Sequence, residues 1–168
     1  MSNLEPVARV VRWGVESMAF NLGQLPADKL NWKPNPESKS ALEVTGEVVG
    51  VMRMMLGLMT QGRFERPAGA EPSEERRIHY PIPSGLEDAQ RQLAETGEAF
   101  AAALEKAGSE LDRPVETPFG TMLGSRVVLW GMIDLVHHHG QISFLQSLLG
   151  DKEMHFNPEG RNWFAPDA

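Results

Sequence analysis

Two polar residues near the end of the chain have the types and spacing of a ligand pair on one helix. Asp134 and His138 lie four residues apart in "WGMIDLVHHHGQISFLQSLLG" (Trp130 to Gly150), and four residues make about one helical turn. His137 and Gln141 fall on the same helical face, whereas His139 points elsewhere. A carboxylate and an imidazole in this arrangement can bind a divalent cation or form an ion pair with each other.

Glu47 is a third candidate, because it interrupts an otherwise apolar helical stripe made by Val44, Val51, Met54 and Leu58. A buried carboxylate without a partner is unfavourable, so it becomes protonated, pairs with a cation or binds a metal. The residue types therefore predict a divalent-metal site formed by Glu47, Asp134 and His138. Three residues on the same face of the last helix are expected beside this site as supporting or pocket residues: His137, Gln141 and Trp130.

Simpler interpretations compete with a metal site. Asp134 and His138 could be an ordinary ion pair on a helix surface, and Glu47 could reach solvent near the end of its helix. We interpret His139 as a hydrogen-bonded or partly exposed helix residue without a role as a ligand. Three glycines on one side of the second helix indicate close packing within the chain or against another subunit: Gly46, Gly50 and Gly57.

Four amphipathic helices must position these residues, and no segment has the alternating pattern of a strand. Capping-box pairs predict two helix starts, Ser40 with Glu43 and Ser84 with Glu87. The pattern predicts an all-α four-helix bundle. Its expected helices are residues 6–22, 40–61, 84–108 and from about Thr121 to just before Gly150.

The long linker over residues 62–84 predicts the topology of the bundle. Antiparallel neighbours need only a short loop, whereas a linker of this length can return along a whole helix and leave helices two and three parallel. We expect residues 1–168 to form a single domain, with the bundle at about 4–150. The irregular tail, 151–168, has three aromatic residues that suggest docking on the bundle or on a partner subunit: Phe156, Trp163 and Phe164.

Composition excludes several classes of function. The net charge of -7, with no basic run, argues against a nucleic-acid surface. The chain has no cysteine, so disulfides, thiolate metal sites and cysteine nucleophiles are excluded. It shows neither a signal-peptide pattern at its start nor an apolar run long enough to span a bilayer, and we therefore expect a cytoplasmic protein without membrane contact.

Three segments resemble the DinB-like superfamily of four-helix-bundle metalloproteins over about residues 4–150: "LPADKLNWKPNPESKSALEVTGEV", "ETPFGT" and "HHHGQISFLQSLLG". The family signature has a His, a second His four residues later that is followed by any residue and Gly-Gln, and another His on helix two. These positions correspond to Asp134, His138 and Glu47. The resemblance implies an up-down-down-up bundle, a homodimer and a bound divalent metal such as nickel or zinc. Some relatives resemble thiol transferases or thiol-dependent isomerases, and these are the activities that the resemblance suggests.

Two carboxylates therefore stand where the family usually has histidines. They would lower the net charge of the centre, weaken the metal as a Lewis acid and favour harder ions such as manganese, iron or magnesium. We predict a divalent-metal-dependent transferase or hydrolase that acts on a small molecule, and the resemblance implies a low-molecular-weight thiol as its cofactor. The alternative is a non-catalytic bundle that has lost the metal and binds a small molecule or a partner protein.

Overall fold

The computed structural model describes residues 4–62, 71–72, 78–117, 120–153 and 155, and four long helices dominate it. The aromatic tail residues Phe156, Trp163 and Phe164 lie outside this range. The helices confirm the predicted all-α bundle: α1 (Glu5–Gln24), α2 (Ala41–Gln61), α3 (Leu86–Lys106) and α4 (Gly124–Leu148). Short 3-10 turns follow α1 at Ala27–Lys29 and α3 at Ser109–Asp112.

The helices pack as a ring in the order α1, α3, α2, α4. Arg12 of α1 pairs with both Glu98 and Glu105 of α3, and this interaction links antiparallel helices. On α1, Asn21 contacts Ser143 and Gln146 of the parallel helix α4. Since α2 runs parallel to α3 and antiparallel to α4, the topology is up-down-down-up, with the predicted crossover between α2 and α3.

The capping box at the start of α2 is present as predicted. Ser40 Oγ accepts a hydrogen bond from Glu43 N at 3.3 Å, and Ser40 N donates to Glu43 Oε2 at 2.8 Å. These bonds satisfy two backbone groups that would otherwise lack partners, and they define where the helix begins. The position of Glu47, one turn further along, follows from this start.

The core is filled from all four helices, and Phe100 of α3 lies at its centre with no exposed surface. A Cβ atom on Gly131 of α4 would lie 2.7 Å from the Phe100 ring and 3.2 Å from Met55 of α2. Only glycine leaves room for the ring there. Similarly, Gly14 of α1 makes space for the buried side chain of Leu135.

The expectation of no strands is wrong. Strands β3 (Pro114–Thr117) and β4 (Gly120–Leu123) form an antiparallel hairpin before α4, and β1 (Glu71–Pro72) pairs with β2 (Ile78–His79) in the crossover. The predicted start of α4 near Thr121 is therefore also wrong, because that residue belongs to β4. Gly120 adopts a φ of 107°, which favours glycine, and strands this short contain too few residues for an alternating pattern.

The predicted capping box at Ser84 and Glu87 is wrong by one residue. The N-cap of α3 is Gly85, and no side chain caps it. Instead, Asp88 Oδ2 accepts hydrogen bonds from both the backbone N and the Oγ of Ser84. These bonds hold the pKa of Asp88 to about 2, first through the Ser84 backbone N–H. Asp88 thus takes the role in the first helical turn that was expected of Glu87.

The crossover accounts for two of the three glycines on α2. A Cβ at Gly46 would lie 2.6 Å from the carbonyl oxygen of Pro81, and one at Gly50 would overlap the ring of Tyr80. A Cβ at Gly57 would meet nothing within 4 Å. Close packing within the chain therefore explains Gly46 and Gly50. The end of the crossover lies against the side of α2 that carries these two glycines.

None of the helices in the described ranges combines the length and the apolar character needed to cross a membrane.

Candidate metal centre

The structure brings together the three residues predicted as ligands. His138 Nε2 lies 3.4 Å from Asp134 Oδ1 and 3.5 Å from Glu47 Oε2. The His138 side chain is buried, whereas both carboxylates are about one-quarter exposed. The centre therefore lies at the edge of the bundle, where α2 and α4 meet, and it is open to solvent on one side.

Two different levels of structure create this arrangement. Asp134 and His138 share a face because they are one turn apart on α4. Glu47 joins them only because α2 and α4 pack antiparallel, so that the start of α2 lies beside the middle of α4. Glu47 is only partly buried, although it was predicted to lie on an interior stripe, because 22% of its side-chain surface is exposed.

A hydrogen-bond chain determines which nitrogen of His138 faces the carboxylates. His138 Nδ1 lies 2.7 Å from Gln141 Oε1, and Gln141 Nε2 lies 3.2 Å from His137 Nε2. Since an amide oxygen only accepts, His138 Nδ1 must carry a proton and donate it. The predicted neighbours Gln141 and His137 therefore both lie beside the centre, and His138 presents Nε2 to Asp134 and Glu47.

The Nε2 atom facing two carboxylates needs a positive charge. If it were an unprotonated lone pair, it would face two negative oxygens, so a proton or a metal ion must lie between them. Burial opposes protonation of the imidazole, but the Asp134 carboxylate, with help from Gln141 and Glu47, outweighs it and raises the pKa of His138 above its ordinary value. The same electrostatic field would attract a divalent cation.

Asp134 has an oxygen that protein groups do not satisfy. Its Oδ2 is fully buried and has no hydrogen-bond partner among the described residues. A buried carboxylate oxygen without a donor is unfavourable in a folded protein, and such an atom calls for a water molecule or an ion. The Asp134 carboxylate thus has one oxygen towards His138 and another that lacks a partner.

Lys39 is a member of this centre that the sequence analysis missed. Its ammonium forms an ion pair with Glu47 Oε2, the same oxygen that faces His138. Lys39 immediately precedes the N-cap of α2, and its side chain runs along the first two turns of the helix to Glu47. Helical periodicity does not cover a residue outside the helix, so no sequence pattern indicated the pair.

The donor set fits a divalent ion in chemistry, and the two distances from His138 suit a pair of ligands to one ion. Ligand atoms about 2.0–2.2 Å from an ion at tetrahedral angles are about 3.3–3.6 Å apart, which agrees with both distances from His138 Nε2. In the described part of the chain, no three His, Cys, Asp or Glu side chains lie in an arrangement that could hold a metal ion. The three side chains would therefore have to rearrange to reach one ion, and Lys39 engages the Glu47 oxygen that such an ion would use.

The last helix carries two further residues that the sequence singled out, Trp130 and His139. Trp130 is one turn before Asp134 on α4 and is partly buried against the core. His139 faces away from the centre as expected, and it is a buried residue whose Nε2 lies 2.7 Å from Asn21 Nδ2 of α1. Burial lowers the pKa of His139. Asn21 could have been noticed in the sequence, because it continues the apolar stripe of α1.

Comparison with known proteins identifies the family. A sequence model of the DinB superfamily matches residues 16–142, which include all three candidate ligands. The chain belongs to the DinB superfamily. No protein among curated sequences matches it.

Solved structures of DinB-like proteins share the fold. A DinB-like protein from Bacillus subtilis superposes with a TM-score of 0.68 at 16% identity, over 89% of this chain and 95% of that chain. A DinB-like protein from Bacillus cereus gives a TM-score of 0.59 at 20% identity, over 82% of this chain and 87% of that chain. At these identities the likeness establishes the DinB fold alone.

Proposed function

We propose that this DinB-superfamily protein binds a divalent metal ion through Glu47, Asp134 and His138 and acts on a small molecule. The observation that carries the proposal is the position of His138 Nε2, which faces two carboxylates at 3.4 and 3.5 Å while Nδ1 donates to Gln141. The unsatisfied Oδ2 of Asp134 supports it, because a bound ion or its water would supply the missing partner.

The ligand types indicate which ions and which chemistry to expect. With two carboxylates the net charge of the centre falls to about zero, so oxygen-preferring ions such as manganese or iron compete better with nickel or zinc. When bound, the metal would polarise an oxygen or sulfur atom of a substrate. A low-molecular-weight thiol is the substrate class that the family resemblance offers for a transferase. Hydrolysis is the alternative that suits a harder ion.

Two neighbours would support this centre without binding the ion. Gln141 accepts the Nδ1 proton of His138 and so keeps Nε2 directed at the carboxylates. His137 is exposed at the rim of the centre, and its Nε2 forms a hydrogen bond with the amide nitrogen of Gln141. Trp130, one turn away on α4, would contribute to the wall of a substrate pocket. These three residues would orient the ligands and the substrate.

A second candidate function is favoured by the ion pair of Lys39. In the absence of metal, Lys39 and a protonated His138 balance the charges of Glu47 and Asp134. Such a balanced network can hold α2 against α4 without a cofactor. The protein would then be a non-catalytic bundle that binds a small molecule or a partner protein.

Elemental analysis separates these candidates. Untagged wild-type protein, incubated with manganese, iron, nickel or zinc and then dialysed, is expected to retain close to one ion per chain by inductively coupled plasma mass spectrometry. A Glu47→Ala, His138→Ala double variant is expected to retain none. Wild-type protein that stays metal-free under all four conditions would support the non-catalytic bundle and exclude the metal-dependent function.

We also propose that the protein forms a homodimer through α4. Large apolar side chains are exposed along one side of this helix, around the exposed Gly140: Ile133, Val136, Phe144 and Leu148. Ile133 and Phe144 are 56% and 62% exposed. A helix of a soluble domain usually presents polar residues to water, so an apolar outer face supports a protein interface. A second copy of α4 could approach closely at Gly140.

The mass of the protein in solution tests this interface. Wild-type protein is expected to sediment as two chains, and Phe144→Glu is expected to raise the dissociation constant at least about tenfold, because it places a charge within the apolar face. As a control, Ile82→Glu changes an exposed apolar residue on the crossover and should leave the mass unchanged. Wild-type protein that sediments as one chain at all concentrations would contradict the proposal.

The setting that we propose is the cytoplasm, with a small molecule rather than nucleic acid as partner. An excess of acidic over basic residues, 23 against 16, would repel a phosphate backbone. The absence of cysteine is compatible with a reducing compartment.

A further inference from the structure

Lys39 pairs with a carboxylate oxygen of the candidate metal centre that an incoming cation would also need. Its ammonium pairs with Glu47 Oε2, and that oxygen is also the one 3.5 Å from His138 Nε2. A metal ion held by His138 and Glu47 would therefore lie next to a fixed positive charge. Two positive charges near one carboxylate oxygen repel each other, so the lysine ammonium lowers the affinity of Glu47 for a metal ion.

The environment of Lys39 would allow its side chain to leave. The side chain is 46% exposed, and the residue lies in the segment before α2 rather than within a helix. An exposed ion pair of this kind contributes little to stability, and a lysine ammonium regains its hydration when it moves into water. Release of Glu47 would thus carry a small energetic cost, which binding of a divalent ion could readily offset.

We propose that Lys39 competes with the metal ion for Glu47: it pairs with this carboxylate in the metal-free protein and is displaced when the ion binds. The inference rests on the proposed metal-binding function and adds a residue that adjusts it. By this competition Lys39 weakens metal binding, so that the centre fills only above a higher concentration of free ion. Lys39 acts on the metal site through Glu47 and is a positioning residue.

The chain contains a matched control for this lysine. Lys33 lies in the same segment, pairs with Glu43 at 2.7 Å and has a side chain that is 39% exposed. Its partner belongs to the capping box of α2, one turn before Glu47. Removal of Lys33 changes the net charge by the same amount as removal of Lys39, and it leaves Glu47 untouched.

The test is the dissociation constant for Mn²⁺ and Co²⁺, measured by titration calorimetry at fixed pH and ionic strength. Lys39→Gln is expected to have a dissociation constant about tenfold lower than wild type, because the substitution removes a positive charge next to the ion. Lys39→Arg keeps the charge and should bind like wild type, and Lys33→Gln should stay within about twofold of it. The rise in melting temperature on adding metal, relative to chelator, should be larger for Lys39→Gln than for the other proteins.

Each other outcome has a distinct meaning. If all four proteins bind the ions with equal affinity, the competition is overturned while the metal-binding function stands. If Lys39→Gln binds metal and wild type does not, the competition is supported in its strongest form. If none of the proteins binds either ion at millimolar concentration, the proposed function and the competition both fail.

Discussion

Replacement of His138 by alanine is expected to weaken the proposed metal binding at least about a hundredfold, because it removes the only nitrogen donor among the three proposed ligands. The buried imidazole is oriented by Gln141 and faces both carboxylates, so its removal takes away the nitrogen that both oxygens face. The measurement is titration of the chelator-treated protein with Mn²⁺ and Co²⁺. His138→Gln, which keeps most of the side-chain volume, should lose affinity to a similar degree.

His155→Ala is the control for this experiment. His155 also lies four residues after an aspartate and pairs with Asp151 at 2.8 Å, but it packs beside Phe20 of α1, away from Glu47. Its removal should leave the dissociation constants unchanged. A His138→Ala protein that is folded and binds metal as tightly as wild type would show that the ion, if any, is bound elsewhere.

Replacement of Phe100 by alanine is expected to lower the free energy of unfolding by about 3–5 kcal/mol. Its ring is fully buried and fills the space over Gly131, which has no side chain that could move into the vacated volume. Neighbouring Met55 is flexible and would recover part of the lost contact. Urea denaturation followed by circular dichroism measures the difference.

Ile82→Ala removes apolar side-chain volume at a position that is 54% exposed, so it should change the free energy of unfolding by less than about 1 kcal/mol. A small effect of Phe100→Ala, comparable to that of Ile82→Ala, would contradict the placement of Phe100 at the centre of the core.

Local interactions explain which features were predictable from the sequence. The capping box of Ser40 and Glu43 involves residues three apart, and it was predicted correctly. The shared face of Asp134, His138 and Gln141 follows from the pitch of a single helix, as do the apolar stripes of all four helices. The length of the linker between α2 and α3 predicted their parallel orientation, because a chain must return along the bundle to leave two successive helices parallel.

Features without a periodic pattern were not predictable in this way. The β3–β4 hairpin has four residues in each strand, too few for alternation to be distinguished from a loop. The first turn of α3 uses Asp88 rather than Glu87, although both are acidic residues that suit a helix start. Local propensity alone does not separate such neighbouring alternatives.

The sequence by itself therefore determined the four helices, their order and the face of α4 that carries Asp134 and His138. Only the tertiary structure decided that Glu47 meets this face, because periodicity gives the side of a helix and not the helix that packs against it. The same holds for Lys39, which reaches the centre from outside α2, and for Asn21, which contacts His139 across two helices. Contacts between residues distant in sequence depend on packing, and packing positions the candidate metal centre.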